Sequence, residues 1–426
     1  MACVVLLYAL KVGGRWTKTT QAKRFLEADG SVRDPPSAFQ ANGTQRKLVQ
    51  IFPADADTDA DAEAFHLILP SGVTLIEHRV LVKCSGSIYL AIPESVTTIR
   101  GGAFEYSSLV SVTIPGGVTT IKSCTFRGCR SLVSVEIPEG VTAIEMYAFS
   151  ECSSLASITI PDGVTTIEKS VFEGCSSLTS VTIPEGVTAI DDGAFKGCSS
   201  LAFVSLPSTL RTMVTRSHWG TGAFEGCFSL IAVTIPRGVR AIGRDTFRGC
   251  ISLVSVTLPE TLSTIEPRTF AYCPSLATAK IPEGVRAIKD EAFANCGQLD
   301  GVILPRSCTR ISIDAFSNCI QLSLVVAGLN IRAVDMRRNN RIVDIARVFS
   351  GCPQLTTPGY VTSYTVAAVA AAQRLEYWAP TLHRRCSEQR RVWVRDALII
   401  LTRRLQLPHV VAVVVLRHVP RAQLGR

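Results

Sequence analysis

The sequence has no apolar run approaching the roughly 18 residues that a membrane-spanning helix needs. Its longest are CVVLLYAL (3–10) and VVAVVVL (410–416). The first has no basic residue before it and no A-x-A site after it, so it reads as a buried strand rather than a secretory core. Histidine is scarce, with six in 426 residues, and none stands at ligand spacing from a cysteine or an acid. No C-x-x-C pair occurs, which leaves a zinc site unsupported. A Walker loop, an H-E-x-x-H helix, a G-x-S-x-G elbow and a G-x-G-x-x-G fingerprint are all missing. DADTDADAE (55–63) alternates acids as a calcium loop does. It lacks the glycine at the sixth place, and His66 replaces the glutamate at the twelfth, so it reads as a solvated linker. Enzyme activity, cofactors and metals are not expected.

What the sequence does contain is repetition. Leu-Pro or Ile-Pro recurs at Pro70, Pro93, Pro115, Pro138, Pro161, Pro184, Pro207, Pro236, Pro259, Pro282 and Pro305, in steps of 23 residues apart from one of 22 and one of 29. A phenylalanine keeps the same beat from Phe104 to Phe316, and FSGCPQL (349–355) is a displaced echo after a degenerate coil. Within one unit, SLTSVTIP (177–184) alternates buried Val181 and Ile183 with Thr182 and Ser180, as a strand with one buried face does. Pro184 ends the ladder because it has no N–H, and Gly186 is expected to turn the chain with a positive φ. VTAI (187–190) reads as a second short strand, and DDGAFKGC (191–198) as a turn that drops Ala194, Phe195 and Cys198 inward. A 23-residue unit cannot enclose these groups alone, so successive coils must stack over one continuous core.

The pattern L-x-x-I-x-I-P-x-x-V-x-x-I-x-x-x-A-F-x-x-C, matched from Leu155 to Cys175 and in most other units, resembles the BspA-type (Treponema-type) leucine-rich repeats. The resemblance implies a β-rich solenoid of about eleven 23-residue coils, each of short strands plus turns. It also implies a scaffold for protein binding; some bacterial members of the family look like surface adhesins.

Ten of the fifteen cysteines keep the register: Cys129, Cys152, Cys175, Cys198, Cys227, Cys250, Cys273, Cys296, Cys319 and Cys352. Parallel neighbours in a ladder point their Cβ atoms the same way, a poor geometry for bridging. They therefore read as free, buried small hydrophobes. An odd total with ten free thiols points to an intracellular, reducing compartment; the sequon Asn42-Gly43-Thr44 points the other way.

On the outer face of the first sheet, serines (Ser111, Ser134, Ser157, Ser180, Ser255) and threonines (Thr113, Thr159, Thr182, Thr234, Thr257) form uniform rows. Uniform rows carry little recognition detail, so specificity is expected at departures such as Glu136, Phe203, Lys280 and Ile303. The 29-residue step contains an inserted VTRSHW (214–219), whose excision restores the pattern. Its Arg216, His218 and Trp219 are candidate partner contacts, tryptophan and arginine being enriched at interface hot spots.

Three regions follow: residues 1–64 with the acidic linker, the solenoid at 65–355, and a helical C-terminal segment at 356–426. That segment carries eleven arginines, three acids and no lysine. Its apolar stripes suit it to capping the solenoid rather than to nucleic acid. LPHVVAVVVLRHVPRAQL (407–424) looks like the opening helix of an F-box, as in ubiquitin-ligase substrate receptors, although the order is reversed and the segment ends at Arg426. The sequence thus points to a non-enzymatic protein-interaction scaffold without a membrane span, with a surface adhesin and a ligase substrate receptor as alternatives.

Overall fold

The computed structural model describes residues 39–42, 45–48, 65–69, 72–81, 87–214, 220–326, 331–335, 341–342 and 344–355. The predicted strand at 3–10, the acidic linker at 55–63, the insert residues Arg216, His218 and Trp219, and the helical tail from 356 lie outside them.

The chain is a parallel β-solenoid. Most coils run through a first strand, a proline corner, a second strand and an arc that carries the Ala-Phe and Cys positions; residues 155–160 take the place of the first strand in their coil without forming one. In the coil from Leu178, the strand Ser180–Thr182 buries Val181 and exposes its neighbours. Ala189–Ile190 forms the second strand, and Phe195 and Cys198 are fully buried. The alternation in VTI thus becomes a sheet with one wet face, because its period of two matches the pleat. Registers are coil to coil: Ser180 pairs with Phe203, Val181 with Val204 and Thr182 with Ser205. Ala189 pairs with Thr212. The second sheet meets an antiparallel pair at each end. At the start, Phe39–Asn42 and Gln45–Leu48 lay Lys47 and Leu48 along Leu75 and Ile76. At the finish, Arg332–Asp335 pairs antiparallel with Arg341–Ile342.

The core is organised around one column of phenylalanines. Consecutive rings from Phe104 to Phe316 stack at 5.1–5.8 Å between centroids. Phe349 continues the column across the degenerate coil, 5.6 Å from Phe316. A third ladder runs through the arcs, outside either sheet: the Phe172 N–H donates to the Ala194 carbonyl at 2.8 Å, and the Phe195 N–H to the Ala223 carbonyl at 2.7 Å. The strand pairs and the arc ladder together satisfy many of the backbone amides that face along the axis, although first-sheet pairing lapses at residues 155–160 and between Phe203–Ser205 and Ala232–Thr234. The six-residue insertion does not shift this register. On one side of it Met213 pairs with Ile242, and on the other Phe224 stacks on Phe195 at 5.2 Å.

One sequence expectation is corrected. Gly186 does not adopt a positive φ. Apart from Gly72 (φ 96°), which does hold the expected conformation after Pro70, the left-handed positions lie in the arc, chiefly at the residue before the cysteine (Gly174 φ 75°, Gly197 φ 71°) and two residues before the phenylalanine (Ser170 φ 52°, Gly193 φ 60°). Glycine suits position 186 for another reason. A Cβ there would sit 2.7 Å from the Asp162 carbonyl oxygen and 3.3 Å from that of Val164. The preceding coil would have to shift to admit a side chain here; other coils hold Ser95, Thr209, Thr261 and Ser307 at this place, with the hydroxyl donated to the carbonyl of the preceding coil.

Candidate interaction surface

The register cysteines are not a chemical site. Each thiol donates to the carbonyl of the phenylalanine one coil back: Cys152 to Phe126 at 3.1 Å, Cys175 to Phe149 at 3.2 Å, Cys198 to Phe172 at 3.1 Å. That carbonyl also accepts the backbone N–H of the cysteine in its own coil, as Phe172 accepts from Cys175 at 3.2 Å. The residue is therefore a small apolar filler that also donates, a role alanine or valine lacks. Its sequence signal was the constant Phe-x-x-Cys interval, but the acceptor lies 26 residues away and only stacking brings it near. Burial pushes the Cys175 and Cys250 thiols up to about 12, so at neutral pH they are protonated and poor nucleophiles. The described cysteines are free. Among the described residues no group of three side chains is placed to hold a metal ion.

Charge is concentrated on the arcs, where it pairs from coil to coil: Lys122 with Glu145 at 2.9 Å, Arg248 with Glu225 at 2.9 Å, Lys289 with Glu266 at 2.6 Å. Asp245 lies buried among Arg244, Arg248 and Arg268, and burial raises its carboxyl despite them. Gly222 is required beside it, since a Cβ there would meet the Asp245 carbonyl at 1.8 Å.

The first-sheet side is different. From the cysteine to the residue before the proline, five successive coils (152–160, 175–183, 198–206, 227–235 and 250–258) contain no charged residue. The next coil on the N-terminal side carries Arg130 and Glu136, and the next on the C-terminal side carries Lys280; all three are exposed. Inside these borders five large apolar side chains are exposed: Phe203 at 60%, Phe228, Ile231, Ile251 and Val254. Each replaces the small residue, mostly serine, threonine or alanine, that other coils hold at its register. Of the predicted site residues, Phe203 lies at the centre of this face, while Glu136 and Lys280 mark its two limits. Arg216, His218 and Trp219 are outside the described residues. The contributions of Phe228, Ile231, Ile251 and Val254 were missed because each looks like an ordinary variation within its own coil. Aligned on the prolines, they fall on neighbouring coils at two shared registers. Along the proline corner a groove of about 900 Å³ continues from this face, lined by Ile235, Leu258, Pro236, Pro259 and Pro282 with Arg237, Glu260 and Lys280 at its rim.

The arrangement of a phenylalanine column, a thiol on each arc and a proline at each corner is matched by the profile of the BspA type leucine rich repeat region, in six copies over residues 62–133, 97–221 and 217–342. The chain belongs to this family. Among solved structures, this BspA-type chain is similar to a leucine-rich repeat protein from Bacteroides ovatus, at 25% identity and a TM-score of 0.51, over 74% of this chain and 91% of that one. It is also similar to a leucine rich cell surface protein from Faecalibacterium prausnitzii, at 27% identity and a TM-score of 0.38, over 67% of this chain and 94% of the other. A third, a leucine-rich repeat protein from Eubacterium ventriosum, is 19% identical with a TM-score of 0.46, over 70% and 85%. No curated protein matches the chain. No helix among the described residues is long and apolar enough to cross a membrane.

Proposed function

We propose that this BspA-type solenoid is a non-enzymatic interaction scaffold that takes a protein partner on the first-sheet face between Glu136 and Lys280. One observation carries the reading: five adjacent coils lack charge there, and the same surface exposes five large apolar side chains. A water-facing sheet gains nothing from Phe203 in place of serine or Ile231 in place of threonine or alanine, whereas an exposed apolar patch with a charged border is what docking surfaces offer. The insertion Val214–Trp219 is a second proposed contact, with Trp219 as anchor and Arg216 and His218 as polar partners. The region boundaries at 64/65 and 355/356 are kept as part of this proposal.

The compartment follows less directly. Buried, protonated thiols held on phenylalanine carbonyls are protected in reducing and oxidising surroundings alike. An intracellular location and a surface, adhesin-like one therefore both accord with the cysteines. The F-box-like segment at 407–424 lies outside the described residues and forms no part of the proposal. Affinity purification of the tagged full chain followed by mass spectrometry tests the face directly. Partners retrieved by the wild type are expected to be lost from the Ile231→Asp/Val254→Asp variant. Retrieval of the same partners at unchanged affinity by that variant refutes the face. The same comparison with residues 214–219 deleted tests the insertion, and glycosylation at Asn42 would report export.

A further inference from the structure

We infer that the partner this face fits is a second copy of the same chain, packed face to face with the solenoids antiparallel; this rests on the scaffold reading above. A twofold axis lying in the interface along the strands reverses the order of coils and keeps each position along the strand. Placed through the strand Phe203–Ser205, it sets coils at equal distance on either side of that strand opposite one another. Glu136 and Lys280 occupy the same register, three coils before and three coils after this strand. The operation therefore lays Glu136 of each copy against Lys280 of the other, twice, at the two ends of the contact.

The interior of the face obeys the same symmetry. Apart from Phe203 on the axis, the exposed large side chains of the five coils lie on the C-terminal side and their small residues on the N-terminal side; Val133, exposed in the Glu136 coil, is set against Ala277. Ile231 meets Thr179, Val254 meets Ala156, Phe228 meets Ser176 and Ile251 meets Ser153, so every protrusion faces a small residue. Phe203, on the axis, meets its own counterpart. A face built to receive an unrelated protein has no reason to match itself in this way.

One column of the small half can be covered without stranding its donors. The Ser153 hydroxyl donates to the Arg130 carbonyl at 3.4 Å, Ser176 to Ser153 at 3.2 Å and Ser199 to Ser176 at 3.4 Å. These three hydroxyls are satisfied within their own column, so burying them leaves none of the three unpaired. Five coils at about 4.8 Å by seven residues at about 3.3 Å give a projected patch of ~550 Å². A side-chain-studded surface of that outline exposes an area on the order of the ~800 Å² per partner that standard interfaces bury.

Sedimentation equilibrium on the purified full-length chain tests the inference. A concentration-dependent dimer is expected. Ile231→Asp/Val254→Asp, both at exposed positions, should weaken it by about 100-fold or more while the circular dichroism spectrum stays that of the wild type. Glu136→Lys alone and Lys280→Glu alone should each weaken it by about tenfold, and the double reversal should restore it. That rescue is specific to the antiparallel geometry. A chain that stays monomeric at the highest concentration it tolerates overturns the inference, as do charge reversals that do not rescue one another. If the chain is monomeric but the Ile231→Asp/Val254→Asp variant still loses a different protein captured by the wild type, the dimer fails and the scaffold reading stands. If that variant loses nothing, both fail.

Discussion

Replacing Phe195 by alanine should unfold the solenoid locally rather than globally, and the cost can be worked from its surroundings. The ring is fully buried and lies between those of Phe172 at 5.3 Å and Phe224 at 5.2 Å. Truncation removes about 100 Å³ of side chain, worth roughly 2.4 kcal/mol if the void persists at ~24 cal/mol per Å³. The lost transfer energy adds about 2 kcal/mol, and two ring–ring contacts add on the order of 0.5–1.5 kcal/mol each. Partial collapse offsets some of this, but the arc is pinned by its ladder bonds to the coils on either side. About 4 kcal/mol is a fair expectation, near the middle of the range for buried phenylalanines. Because a coil contacts only its neighbours, the loss should appear in hydrogen exchange as a protection drop of about a thousandfold over roughly residues 172–230. The coils around Phe104 and Phe316 should be unchanged. Phe195→Leu, which keeps most of the volume, should cost under about 2 kcal/mol. A uniform change along the whole solenoid, or none near 172–230, would refute the column as the local source of stability.

Three further outcomes follow from the same geometry. The thiol of Cys175 is raised in the folded chain from 9.0 to about 12, so its stabilising effect is intact below pH 9 and is lost as pH rises from 9 toward 12, where only the unfolded chain ionises. Each such thiol should contribute a slope of about 1.4 kcal/mol per pH unit in that window; urea titrations should show Cys175→Ala losing that share of the alkaline slope, and an unchanged slope would contradict the assignment. Thiol reagents should label few of the ten register cysteines in native protein and nearly all after denaturation, whereas disulfide-linked peptides joining Cys175 to Cys198 would overturn the free-thiol column. Gly186→Ala should lower the urea midpoint by an amount equivalent to about 1–3 kcal/mol, because its Cβ lands 2.7 Å from the Asp162 oxygen, whereas Gly140→Ala, with nothing nearer than 3.5 Å, should be almost silent; equal effects would show that close approach is not the cause.

Periodicity was enough to determine the coil, its number of repeats and its inward set. The alternation of Val181 and Ile183, the terminating Pro184 and the returning Phe and Cys positions are local properties, and a unit that cannot bury them alone has to stack. The insertion at 214–219 was legible for the same reason: Met213 and Phe224 re-enter the register on either side of it. What lay beyond the sequence were relations between coils. The acceptor of the Cys198 thiol is the Phe172 carbonyl, 26 residues earlier. The oxygen that crowds a side chain at 186 belongs to Asp162. Phe228, Ile231, Ile251 and Val254 become one surface, bordered by Glu136 and Lys280, only when stacking lays distant residues side by side. Composition and period are written along the chain, but a surface is assembled across it, at a spacing of one coil.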